Sequence, residues 1–161
     1  MAGIFSGRWT ARFEAPFVVF IIGMRINKPW KVHRWVPVAA AMPRMVRELA
    51  QKPELGFLGG ETWFARTIVM IQYWRSFEAL ESYAKAREHA HLPAWAAFNK
   101  AVGANGDVGI FHETYRIAPG GYETFYGNMP PTLMGAVGTL AEVKGAANSA
   151  RGRLAQTTHE A

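Results

Sequence analysis

The chain has no cysteine. That absence removes disulfides, zinc–thiolate centres, iron–sulfur clusters and thiol nucleophiles from the chemistry open to it. Long apolar runs are missing too. The strongest, "PFVVFIIGM" at residues 16–24, is about half of the roughly 20 residues a bilayer-spanning helix needs. The N-terminal "MAGIFSGRWTARFEAP" lacks the basic start, apolar stretch and small-residue cleavage site of a secretory signal. Together these predict a cytoplasmic protein with no membrane span. The Gly-rich "GFLGGE" fits neither the phosphate-loop pattern nor the dinucleotide pattern, so nucleotide cofactors have no support. No serine-nucleophile elbow is present.

Acidic residues are the scarcer charge, 12 against 18 lysines and arginines, for a net charge of +6. The excess is spread along the chain, with a local concentration in "KPWKVHR" (28–34). Aromatics interleave with cations there as they do in nucleic-acid binders. No recognised nucleic-acid module accompanies the stretch, and the expectation is no nucleic-acid partner. A basic funnel for small anions fits the same charge.

What is present is enough apolar material for one packed domain: 161 residues, half of them hydrophobic. "FVVFIIGMR" (17–25) is β-branched, aromatic and apolar on both parities, which predicts a strand buried on both faces. A helix over about 28–51 follows, interrupted by Pro37 and Pro43, and two pieces with a kink are expected. "ETWFAR" with "TIVMIQYW" predicts a hairpin. Ser76 is a suitable N-cap for "FEALESYAKAREHA", and Pro93 opens another helix. "VGIFHETYRIA" (108–118) is a strand, and "GGYETFYGN" can add an edge strand or hairpin arm. The order is β-α-β-β-α-β with an extra helix, an α+β, ferredoxin-like arrangement. The domain is expected to occupy residues 1–135. Residues 136–161, rich in Gly, Ala and polar side chains, read as a loosely packed or disordered tail.

The stretches "VVFIIGMRIN", "MPRM", "ELGFLGGE", "QYWRSFEAL", "HLPAW", "VGIFHETY" and "YGNMP" lie in that order over roughly residues 4–132. In this, the chain resembles the family grouped with the fumagillin-pathway monooxygenase. That family lies within the dimeric α+β barrel superfamily of antibiotic-biosynthesis monooxygenases. The resemblance implies a homodimer in which the sheet of one subunit packs on that of the other, with a pocket between sheet and helices for a small hydrophobic molecule. It also implies that Trp74, ending a strand, lines that pocket. Relatives in the superfamily work without a cofactor or with haem, so the cofactor expectation is none or haem. Cofactor-free relatives use an Asn on the first strand, for which "FIIGMRIN" has no secure equivalent.

Histidines are the residues whose chemistry most needs placing. In "REHAHLPAW" (87–95), His89 and His91 are two apart, about 200° around a helix, and cannot bind one metal together. His91 falls within about 40° of the stripe of Phe77, Leu80 and Ala84, and is the inward member of the pair. It either hydrogen-bonds loose carbonyls at the helix junction or serves as an acid/base or haem ligand. In "IFHETYR", alternation places Ile110, His112, Thr114 and Arg116 on one face and Phe111, Glu113, Tyr115 and Ile117 on the other. His112 is a candidate base or a core histidine. Glu113 and Tyr115 read as a structural or interface pair. Arg25, ending the most hydrophobic strand, either pairs with a carboxylate or holds an anionic group. Trp95 shares a helix face with Phe98 and Val102. No metal-ligand set is evident. Taken with the resemblance, these residues lead to the expectation of a monooxygenase-like enzyme in which Trp74 and Trp95 shape the pocket, Arg25 and Tyr115 help hold the bound molecule, and His91 or His112 is the base. The alternatives are a haem enzyme with a histidine axial ligand and a non-catalytic ligand-binding domain.

Overall fold

The computed structural model describes residues 3–86, 96, 98, 99, 103 and 105–157. His89, His91 and Trp95 lie outside the described residues. The described elements, in chain order, are β1 (Phe5–Arg12), β2 (Phe17–Ile26), α1 (Val32–Gln51), β3 (Phe57–Trp63), β4 (Thr67–Trp74), α2 (Phe77–Lys85), β5 (Val108–Ile117), β6 (Tyr126–Met129), α3 (Met134–Val137), β7 (Thr139–Glu142) and α4 (Ala150–Gln156).

The main sheet has the order β3-β4-β2-β5, antiparallel throughout. β2 therefore sits inside it, as its apolar sequence requires. One parity of β2 faces the helices. Val18 joins Leu49, Trp74, Leu80 and Tyr83 in one cluster, while Met24 and Ile26 join Val108 in another, flanked by Trp35, Val38 and Ala39. Helix α1 thus lies antiparallel along β2, its start over Met24 and Ile26 and its end over Val18. The Ser76 hydroxyl caps α2 as expected, accepting from Ala79 N at 3.1 Å.

Three expectations differ from the structure. Helix α1 runs unbroken from Val32 to Gln51 with both prolines inside it. Pro37 and Pro43 sit on its exposed side, so packing of the opposite face holds the helix although each proline removes a backbone bond. The second face of β2 is only half covered: Val19 and Ile21 are intermediate in burial. Residues 134–157, expected to be loose from 136, carry α3, β7 and α4. Their burial comes from small residues and one salt bridge in place of an apolar stripe. Ala147 is 2% exposed, and Arg153, itself buried, donates to Glu123 Oε2 at 2.7 Å and to Ala147 O at 3.0 Å.

A second sheet, β6-β1-β7, is the element with the weakest sequence signal. Its alignment rests on distant side chains: Ala11 N donates to Thr124 Oγ1 at 2.7 Å and Phe13 N to Tyr122 Oη at 2.8 Å. Phe13 stacks on Phe17 at 4.3 Å, and Tyr122 meets Phe17 edge-on at 5.3 Å. This covers the Phe17–Tyr73 end of the main sheet's second face. The remainder of that face, with Val19, Ile21, Val69, Ile71, Phe111 and Tyr115, is open; Phe111 is 39% and Tyr115 48% exposed.

Candidate functional site between sheet and helices

Register fixes which side chains meet on the helix-facing side. Gln72 on β4 pairs with Phe20 on β2, and Phe20 with Thr114 on β5; the next row is Met70, Ile22 and His112. Trp74 ends β4 one row further on, and only 1% of it is exposed. Its ring meets Phe57 at 5.5 Å and Tyr83 at 5.8 Å.

The indole N–H of Trp74 donates to Gln72 Oε1 at 2.9 Å. Indole nitrogen only donates, so it fixes the amide with its oxygen toward Trp74. Gln72 Nε2 is then turned toward sulfur, with Met70 Sδ at 3.4 Å and Met42 Sδ at 4.0 Å. Thioether sulfur is a weak acceptor. Gln72 is only 5% exposed, so it presents a weakly satisfied amide donor in an apolar setting. Tyr83 donates to Glu48 Oε2 at 3.2 Å, and Lys52 Nζ donates to Glu48 Oε1 at 3.2 Å. Burial, then the Glu48 carboxylate, holds the Tyr83 hydroxyl far above the usual tyrosine range. It stays protonated as a donor.

These residues enclose a cavity of about 30 Å³ whose wall includes Phe20, Ile22, Met42, Met45, Gln72 and Trp74. That volume suits one or two waters or a diatomic gas. It is far below the roughly 300–1,000 Å³ of pockets that hold organic ligands. A larger groove of about 280 Å³ lies elsewhere, by Pro16, Phe17, Ser76 and Arg116. Both of its cations are already engaged: Arg116 pairs with Glu78 at 3.0 Å and lies over the Phe77 ring at 4.9 Å, and Arg75 donates to Pro53 O at 3.0 Å.

The sequence-predicted residues divide between the two faces of the sheet. His112 shares the face of Gln72 and Trp74, its ring 5.7 Å from Phe20, but it is exposed on edge strand β5. An edge strand lacks a neighbour to bury its side chains. Arg25 and Tyr115 are on the opposite face: Tyr115 pairs with Val19 in the row between those of Trp74 and Gln72, and Arg25 pairs with Thr67 and Gly109 in the odd row beyond that of Ile68. They do not line the sheet–helix cavity. Arg25 is exposed and donates to Thr67 Oγ1 at 2.9 Å, with no carboxylate partner among the described residues. Tyr115 donates to Glu113 Oε2 at 2.5 Å, as expected of a paired couple. That carboxylate raises the Tyr115 hydroxyl above its ordinary pKa.

Gln72, Tyr83 and Glu48 were not among the expected site residues. Gln72 had a readable signal: on the inward parity of "TIVMIQYW" it is the one polar side chain among Ile68, Met70 and Trp74. The Tyr83–Glu48 bond spans 35 positions and has no local signature.

Haem does not fit the described residues. The cavity is too small, His112 is at the exposed edge, and Arg25 is across the sheet from both. Among the described residues no three His, Asp or Glu side chains group as a metal site.

Sheet order and the two crossover helices define a ferredoxin-like α+β protein. Residues 17–134 match the Monooxygenase af470-like family, and the chain belongs to it. Monooxygenase af470 of Aspergillus fumigatus is 29% identical over 156 residues, covering 84% of this chain and 55% of that protein. The chain thus spans about half the length of the curated relative it matches. Among solved structures, an aldoxime dehydratase in complex with butyraldoxime is similar at a TM-score of 0.67 and 16% identity, covering 83% of this chain and 41% of that one. A second aldoxime dehydratase aligns at 0.66 and 16%, covering 86% and 44%. At such identity the likeness concerns the fold alone.

Proposed function

We propose that this chain is a monooxygenase-like enzyme that transfers one atom of dioxygen, held in the small cavity on the helix side of the main sheet, to a hydrophobic organic substrate docked at the exposed His112 edge of that face. Family membership supports the reaction class. The observation that carries the reading is Gln72 Nε2, a buried amide donor aimed among methionine sulfurs beside a cavity of dioxygen size. An amide N–H held there gains strength from the low dielectric and is positioned for negative charge that develops on oxygen.

The chemistry needs a substrate with an acidic CH₂ group flanked by aromatic or carbonyl carbon. His112 takes one proton, imidazole being the side chain most often used as a general base. The carbanion passes one electron to dioxygen, and the pair recombines to form a C–O bond. Loss of the second C–H proton and cleavage of O–O then release water, leaving C=O on the substrate. The balance is CH₂ + O₂ → C=O + H₂O, with no external reductant. Trp74, Met42 and Met45 keep the dioxygen site apolar.

The open face with Val19, Ile21, Val69 and Ile71 supports a homodimer, sheet against sheet, with Phe111 and Tyr115 toward the partner. Oxygen uptake by the purified protein tests the enzyme reading. With a panel of anthrone-type and phenolic ketone substrates, at least one is consumed mole for mole with oxygen. No uptake above the protein-free rate across the panel ends the proposal.

A further inference from the structure

One end of the main sheet gathers three chain segments into a single rim. Ile26 N donates to Arg66 O at 2.9 Å, and Asn27 N and Lys28 N donate to Asp107 O at 3.1 and 3.3 Å. The end of β2, the β3–β4 turn and the start of β5 therefore meet there. From this rim project Phe64, 74% exposed, and Trp30, 73% exposed, followed by Val32 at 50%. Phe64 and Trp30 are the two most exposed large apolar side chains among the described residues. Neither has a packing reason to be apolar.

The charge around them is one-sided. Residues 24–34, 62–68 and 105–110 carry Arg25, Lys28, Lys31, Arg34 and Arg66 against a single carboxylate, Asp107. Asp107 is turned inward with its side chain 2% exposed, held by Lys28 at 2.7 Å and Lys31 at 3.0 Å. Arg25 and Arg66 are exposed, and Lys28 and Lys31 remain partly exposed while they hold Asp107, so the two aromatic tips face outward with net positive charge around them.

We propose that this rim docks the protein on an anionic phospholipid bilayer, with Trp30 and Phe64 inserted at headgroup depth. Tryptophan settles at the membrane–water boundary, where its ring is apolar and its N–H stays wet. Basic side chains add attraction to an anionic leaflet. A second copy of the chain is a poorer occupant, because it would set one net positive rim against another. The inference stands on the rim alone and does not depend on the reaction proposed above.

Flotation of the full chain with vesicles tests it, comparing phosphatidylcholine alone with phosphatidylcholine containing phosphatidylserine. The protein is expected to float with the anionic vesicles at low ionic strength and to be released at about 0.5 M salt, where screening is short-ranged. Trp30→Ser with Phe64→Ser lowers the partition roughly tenfold while leaving Tm unchanged, since both side chains are solvent-exposed. Failure of the unaltered protein to float with anionic vesicles overturns the proposal. So does an unchanged partition of the double variant, or salt-independent binding to both vesicle types. Self-association abolished by the double variant, with no vesicle binding, would assign the rim to a second copy instead.

Discussion

Trp74 is held by contacts from three directions: Phe57, Tyr83 and the Gln72 carbonyl oxygen. Trp74→Ala would remove all three and leave a buried acceptor unpaired, for a loss of about 3–5 kcal/mol in urea unfolding. Trp74→Phe, which mainly removes the hydrogen bond, is expected to cost about 1–3 kcal/mol. At Asp107 the prediction concerns pH. Hydrogen bonds from Lys28 and Lys31 hold its carboxyl below the ordinary value. A lowered pKa contributes stability that is complete above about pH 4 and is lost as pH falls through the native value. Acid unfolding of Asp107→Asn should lack that component, so the gap between variant and parent closes at low pH. The parity of His112 was legible in sequence because it depends on one strand's alternation, whereas Trp74 was singled out by the family resemblance. That Arg25 and Tyr115 face away from Trp74 was not legible, because it depends on the pairing register among β2, β4 and β5.

At the scale of elements, α1 carries an unusual cost. Pro43 is exposed in the helix interior and supplies no N–H to the carbonyl four residues back. Pro43→Ala should therefore stabilise the protein by about 1–3 kcal/mol, read as a raised denaturation midpoint with unchanged slope. The prolines suggested a break in the sequence because the compensating contacts of Trp35, Val38 and Leu49 are tertiary. Gly23 predicts the opposite sign. A Cβ there would stand 2.5 Å from the Phe111 ring and 2.8 Å from Ile68 O. The ring sits on an exposed edge strand and can swing away, but the carbonyl belongs to the β2–β4 ladder, so Gly23→Ala should lower Tm. Strand β2 was readable because its apolar run holds on both parities over residues 17–24. Strands β1 and β7 were not, since "FSGRWTAR" has little apolar period and "TLAE" is four residues long.

For the whole molecule, the two faces of the main sheet have different tasks. The helix side is closed over Gln72 and Trp74, while the other side keeps Val19, Ile21, Val69 and Ile71 only half covered. If that surface joins two copies, Ile21→Lys should convert a dimer to a monomer in sedimentation equilibrium without unfolding it. The ferredoxin-like order was legible from element sequence alone. The second sheet's cover over Phe17 and Tyr73 was not, because it is built from contacts more than 100 residues apart in sequence. The central claim, dioxygen chemistry beside Gln72, is tested most directly by ¹⁸O₂ labelling with a substrate that supports oxygen uptake. The account predicts one labelled atom in the product carbonyl and one in water, with Gln72→Leu slowing turnover roughly 10²-fold. Product oxygen drawn from unlabelled water, or an unchanged rate in Gln72→Leu, would contradict it.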